Sequence, residues 1–148
     1  MSARAESAAV RVTTLRQALN EALSEEMARD SRVIVMGEDI GRKGGIAGVT
    51  KGLLDLYGPK RVIDTPISEM AIAGACSGAA MSGLRPVGEF YYSDMLMFMS
   101  DSIVTSTARL NFATGCNENY IWLGEPFTDD SGSGDHGRAI CDTENTLS

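Results

Sequence analysis

Between Leu15 and Met27 the apolar positions Leu15, Ala18, Leu19, Ala22, Leu23 and Met27 recur at the spacing of one helix face. Thr14 followed by Gln17 is a capping-box pattern. Together they predict an amphipathic helix that ends near Asp30. The period then changes. Arg32 to Gly37, RVIVMG, is a short apolar run of strand length, and Glu38-Asp39 sits just past its end. A glycine-bearing loop, RKGGIAG, leads to a helix near Thr50 to Leu56, and Tyr57-Gly58-Pro59 stops it. Arg61 to Asp64 predicts a second strand. From Glu69 to Ser82 runs a helix made largely of Ala, Gly and Ser, able to approach a neighbouring backbone or a flat ligand closely. Pro86 to Tyr92 predicts a third strand, and Asp94 is placed to cap a Met-rich helix reaching about Phe112.

Strands that alternate with helices imply βαβ units, so the expected class is α/β with a parallel sheet and right-handed crossovers. In such sheets ligands sit at the carboxyl ends of the strands. That rule singles out Glu38, Glu69 and Tyr91, which the pattern puts at or just beyond three successive strand ends.

The chain is too short for more than one domain, at 148 residues. Its charge is unevenly spread. Of the net −7, Cys116 to Ser148 carries −6, with seven acids against Arg138 alone. Beyond Pro126 this segment is Ser, Gly, Asp, Thr and Asn, with little to bury, and only Tyr120 to Leu123 reads as strand. The expected organisation is a flexible extension over 1–12, a partial domain over 13–115, and an irregular acidic tail over 116–148, disordered or loosely docked. The acidic balance argues against nucleic-acid binding. No apolar run reaches membrane-spanning length, so no membrane partner is expected. The opening MSARAESAAVRVTT lacks the apolar core of a secretory signal. Three widely spaced cysteines, Cys76, Cys116 and Cys141, suit a reducing compartment, the cytoplasm or, in a eukaryote, the mitochondrial matrix. With one histidine and no CxxC, no structural metal site is expected.

Each candidate has a plain structural reading beside the functional one. Glu69 is either an acid favoured at a helix N-terminus by the macrodipole or a carboxylate in an apolar, water-poor pocket. Burial there would raise its pKa and let it exchange a proton with a bound heterocycle. Ile67, Met70, Ile72 and the alanines around it suit such a pocket. Glu38 and Asp39 are either solvated acids or part of a ligand-facing strand end. Gly132-Ser133-Gly134-Asp135-His136-Gly137 matches GxGxxG by letter. It has no strand leading in and no amphipathic helix leading out, so it is a linker and not a dinucleotide site. Met95, Met97 and Met99 read as core or interface packing.

Taken together, VIVMGEDIG, GGIAGVTKGLLDLYGPKRVIDTPISE and AIAGACSGAAMSGLRPVGEF resemble the β subunit of thiamine diphosphate-dependent 2-oxo acid dehydrogenases, of the pyruvate, branched-chain and acetoin type. The resemblance covers Val12 to Gly115. It implies a transketolase-like pyrimidine-binding fold, incomplete here. It implies that Glu69, in TPISE, contacts the aminopyrimidine of thiamine diphosphate and shares a proton with a ring nitrogen. Ile67 and Tyr91 match positions flanking that ring. Met95 stands where the family has an aromatic residue, and Glu38 joins the cofactor-binding set. The diphosphate and its magnesium would be held mainly by a partner α subunit. Further implied partners are a 2-oxo acid substrate and a lipoyl-bearing acyltransferase that accepts the acyl unit, within a hetero-oligomer. SIVTSTAR, Ser102 to Arg109, departs from the family's QIVNQAAK-like run, and after Gly115 the resemblance stops. Two expectations follow. The chain is a component that supplies the pyrimidine half of a shared site, or it is a non-catalytic truncated remnant or interaction module that keeps only part of the scaffold.

Overall fold

The structure, a computed structural model, describes residues 11–107, 109, 121–125 and 140–142. Helix α1 (Leu15–Arg29) starts where the pattern puts it. The Thr14 hydroxyl accepts the Gln17 N–H at 3.2 Å, and the Gln17 side chain accepts the Thr14 N–H at 3.2 Å. Strand β1 (Val33–Glu38) is buried along its whole length. Helix α2 (Leu53–Tyr57) begins three residues later than expected. Thr50 is withdrawn from the helix because it is buried and donates its hydroxyl to the Ile40 carbonyl at 2.8 Å. Strand β2 (Val62–Thr65), helix α3 (Glu69–Met81) and strand β3 (Arg85–Tyr91) follow.

The sheet runs β2-β1-β3 and continues into β4 (Ile121–Glu125) and β5 (Ile140–Asp142). Pairings β1·β2, β1·β3 and β3·β4 are parallel, and β4·β5 is antiparallel. The molecule is therefore the expected α/β fold on a parallel sheet. β4 falls where Tyr120 to Leu123 suggested a strand. β5 was not foreseen, because Ile140 and Cys141 are its only apolar residues and no alternation surrounds them. The remainder of the acidic tail, the GxGxxG-like run with His136, Cys116 and residues 1–10 lie outside the described residues.

Alternation along β1 sorts the core into two halves. Val33 and Val35, with Val62 and Val87, face α1 and α2 and pack on Leu23, Met27, Ile40 and Leu53. Ile34 and Met36 face α3 and pack on Ile72, Ala73, Cys76, Phe90 and Met99. Both faces of β1 are covered, which is why its sequence is a continuous apolar run. Arg61 closes the amino end of the sheet. Its guanidinium donates to the carbonyls of Met27, Asp30 and Val33 at 2.7–3.0 Å and lies 5.1 Å from the Tyr57 ring centroid.

Over the described residues 93–107 the expected Met-rich α-helix is not formed. A 3₁₀ helix over Ser93–Met99 is followed by a π-helix over Asp101–Thr107, and N-cap position falls on Tyr92, not Asp94. The run DSIVTST is rich in β-branched and hydroxyl residues, which hold an α-helix weakly. Thr107 donates its hydroxyl to the Ser102 carbonyl at 2.6 Å, five residues back, and shares a 2.7 Å bond with buried Ser77 of α3. Those bonds fit the wider π spacing.

Candidate functional site

The connection leaving β1 passes to the α1/α2 face, whereas those leaving β2 and β3 pass to the opposite face, through α3 and Met99. Neighbouring strands whose connections diverge leave a crevice at their carboxyl ends. Glu38, Thr65 and Tyr91 are the terminal residues of β1, β2 and β3, so all three stand at that crevice.

On the α3 face, Glu38 and Thr65 are register partners across the β1·β2 pair. Both follow the parity of Met36 and Ile63, which face α3. Glu38 is only 6% exposed. The Ser68 N–H at the mouth of α3 favours its charged form. Its Oε1 and the Thr65 hydroxyl are both buried without a hydrogen-bond partner among the described residues. Burial pushes the Glu38 carboxyl above its ordinary 4.5, and the charges of Glu69 and then Asp39 push the same way, against the Ser68 N–H. Glu69 opens α3, partly exposed, with Ser68 as N-cap making no side-chain capping bond. No Lys or Arg among the described residues pairs with Glu38 or Glu69.

The opposite face is closed by the glycine loop. Asp39 reverses the chain with φ 55, and Gly45 N–H bonds the Asp39 carbonyl at 3.0 Å. Gly41 N–H bonds Asp64 Oδ1 at 2.7 Å, and Thr50 N–H returns to the Gly44 carbonyl at 3.1 Å. Asn20 of α1 donates to the carbonyls of Val49 and Lys51 at 2.6 and 3.1 Å. Fully buried Glu89 lies beneath two glycines. A Cβ on Gly45, which has φ 78, would overlap Glu89 Oε1, and one on Gly37 would overlap the Glu89 carbonyl oxygen. The Tyr91 hydroxyl accepts the Ile46 N–H and donates to the Glu38 carbonyl, each at 2.7 Å.

Of the residues picked out by sequence, Glu38, Glu69 and Tyr91 come together. Ile67 does not line a closed pocket here, being 82% exposed, and Met70 beside it is 59% exposed. Of the expected apolar surround, Ile72 and the alanines Ala73 and Ala80 are buried, in the core beneath α3. The water-poor carboxyl of this site is thus Glu38 and not Glu69. The difference arises because Glu38 ends a fully covered strand, whereas Glu69 starts a helix at the sheet's rim. Met95 is partly buried and packs on the α3-side core. Cys76 is a free, buried thiol whose pKa burial raises to about 12, so it is unreactive in place. Thr65, Ser68, Asp64 and Glu89 escaped the sequence reading. An acid inside the strand pattern RPVGEFY was the available signal for Glu89.

Chemically, the site offers a carboxyl biased toward its protonated form, a partly exposed carboxyl close enough to perturb it, and a hydroxyl with unused hydrogen-bonding capacity. That set suits a small polar heterocycle that both donates and accepts. Among the described residues no group of three His, Cys, Asp or Glu is arranged to hold a metal ion. No helix among them is long and apolar enough to cross a membrane.

Residues 11–117 match the family described as transketolase, pyrimidine binding domain. The chain is 50% identical over 111 residues to the mitochondrial pyruvate dehydrogenase E1 component subunit beta-2 of Oryza sativa subsp. japonica, covering 75% of this chain and 30% of that protein. It is 48% identical over 95 residues to the 2-oxoisovalerate dehydrogenase subunit beta of Bacillus subtilis (strain 168), covering 64% and 29%. It is 49% identical over 102 residues to the pyruvate dehydrogenase E1 component subunit beta of Rickettsia bellii (strain RML369-C), covering 69% and 31%. The chain thus spans about 30% of the length of these curated relatives.

Proposed function

The chain belongs to the transketolase pyrimidine-binding domain family, and from that premise we propose that it supplies the pyrimidine-contacting half of a thiamine diphosphate site in a 2-oxo acid dehydrogenase. The observation that carries the reading is the pairing of Glu38 and Glu69 at the crevice, with Glu38 Oε1 and the Thr65 hydroxyl buried and unused. An aminopyrimidine presents ring nitrogens and an exocyclic amine, and these groups complement carboxyl and hydroxyl partners. The residues present therefore fit the group.

In this reading Glu69 shares a proton with a ring nitrogen. Glu38, biased toward its own protonated form, spares the pair two full negative charges. Tyr91 and the glycine loop close the opposite side, and Ile67 is an exposed contact that awaits the cofactor or a partner. The cofactor, when bound, supplies the electron sink for decarboxylation. The α subunit of the same component would hold the diphosphate and magnesium. The acyl product would pass to a lipoyl-bearing acyltransferase. The setting is the cytoplasm of a bacterium or the mitochondrial matrix of a eukaryote.

The test is release of carbon dioxide from pyruvate and from branched 2-oxo acids by the chain co-expressed with a cognate α subunit. Turnover that Glu69→Gln lowers at least about a hundredfold supports the reading, in line with loss of a proton-transfer group. A complex that binds cofactor yet releases none favours the non-catalytic alternative.

A further inference from the structure

The β1·β3 ladder ends at the register pair Gly37↔Glu89. Tyr91 lies beyond it, paired instead with Glu125 of β4. The Glu38 carbonyl has left that ladder, and the Tyr91 hydroxyl takes it up at 2.7 Å while accepting the Ile46 N–H at 2.7 Å. One buried hydroxyl therefore stands in for a missing rung of the sheet and fastens the glycine loop to the same point. On the α3 face, the end of β1 is in register with the end of β2, Glu38 with Thr65, and the carboxyl of that same Glu38 feels the Ser68 N–H and Glu69.

We infer that Tyr91 is a positioning residue that couples the glycine loop, through the Glu38 backbone, to the acid pair at the mouth of α3. The inference rests on the proposed function for its consequence, because it is the acid pair that would meet the cofactor. Two bonds of 2.7 Å run from the Ile46 N–H to Tyr91 Oη and from Tyr91 Oη to the Glu38 carbonyl, and Glu38 is itself one member of the acid pair, its carboxyl acted on by the Ser68 N–H and by Glu69. The loop end is otherwise exposed, with Ile46 at 60%, so without the hydroxyl its N–H would face water. The ring of Tyr91 is buried, so Tyr91→Phe removes the coupling and keeps the packing.

Amide hydrogen exchange on the full chain, without cofactor, reads this directly. In Tyr91→Phe the Ile46 and Ser68 amides should both exchange about tenfold faster, the loss of one ordinary hydrogen bond, with Val35 unchanged. Acceleration at Ile46 alone would overturn the inference, since the hydroxyl would then hold only the loop. Should the variant lose its core protection as a whole, the wild type decides. Under low denaturant its Ile46 and Ser68 amides should open with one free energy and one denaturant slope, and two distinct openings would overturn the coupling. Where the wild type with its α subunit binds thiamine diphosphate, Tyr91→Phe should weaken that binding about tenfold, and equal affinity would remove the functional consequence. Absence of binding in the wild type would sink the proposed function and leave the exchange result to stand by itself.

Discussion

Replacing Glu38 by Gln should make the folded chain more stable at neutral pH, although it removes a buried acid of the site. Glu38 is 6% exposed, its Oε1 lacks a partner among the described residues, and its neighbours Glu69 and Asp39 are both acids. The folded state therefore holds the Glu38 proton more tightly than the unfolded chain does. A carboxyl shifted in that direction contributes no penalty well below its unfolded pKa of 4.5. It erodes stability as pH rises through 4.5 toward the higher folded value. Gln does not titrate and keeps a carbonyl oxygen that can face the Ser68 N–H. Removing one poorly satisfied buried charge is worth about 1–2 kcal/mol, toward the lower end of the cost of an unsatisfied buried group, because the Ser68 N–H offsets part of it. Urea unfolding at intervals from pH 3.5 to 8 gives the difference between variant and wild type. That difference should be near zero at the acid end and should grow to its plateau above the folded pKa. A flat difference across the range, or a variant less stable at pH 8, would refute the assignment of Glu38 as the strained acid. In a Glu69→Gln background the plateau should shrink, because one of the charges opposing Glu38 has gone.

Other consequences are simpler to read. Arg61→Ala should cost about 2–4 kcal/mol in denaturant melts, since charged hydrogen bonds to three backbone carbonyls are lost at once. Arg61→Lys should recover little of it, because an ammonium cannot span the same fork. Gly37→Ala should lower stability by about 3 kcal/mol or block folding, because its methyl group meets backbone at Glu89 rather than a movable side chain. In a Cys116→Ser, Cys141→Ser background, Cys76 should react with a thiol reagent only at the rate of unfolding, and fast labelling of folded protein would contradict its burial.

The readable parts of the chain were those whose local pattern and tertiary surroundings agree. β1 was visible because both of its faces are covered and nearly every residue is apolar. α1 was visible because its cap is built from side chains three residues apart. The Met-rich segment misled because methionine spacing speaks for burial, while the hydroxyl bonds of Thr107 and Ser77 that set its winding depend on a helix thirty residues away. At the site, Glu69 stood out through its motif, yet its exposure did not follow from sequence, because the rim of a sheet and its interior read alike in a string of alanines. The burial of Glu38 follows from β3 and α3 packing against either side of β1, and the role of the Tyr91 hydroxyl depends on where one ladder stops. Neither is encoded in spacing.

The claim that this domain holds an aminopyrimidine through Glu69 is tested most directly by calorimetric titration of thiamine diphosphate, with magnesium, into the chain reconstituted with a cognate α subunit. Saturable binding by the wild type, weakened at least about tenfold in Glu69→Gln as expected for a lost charge-assisted hydrogen bond and retained in a surface variant such as Arg16→Gln, is the predicted result. Identical titrations for wild type and Glu69→Gln, whether both bind or neither does, would contradict it.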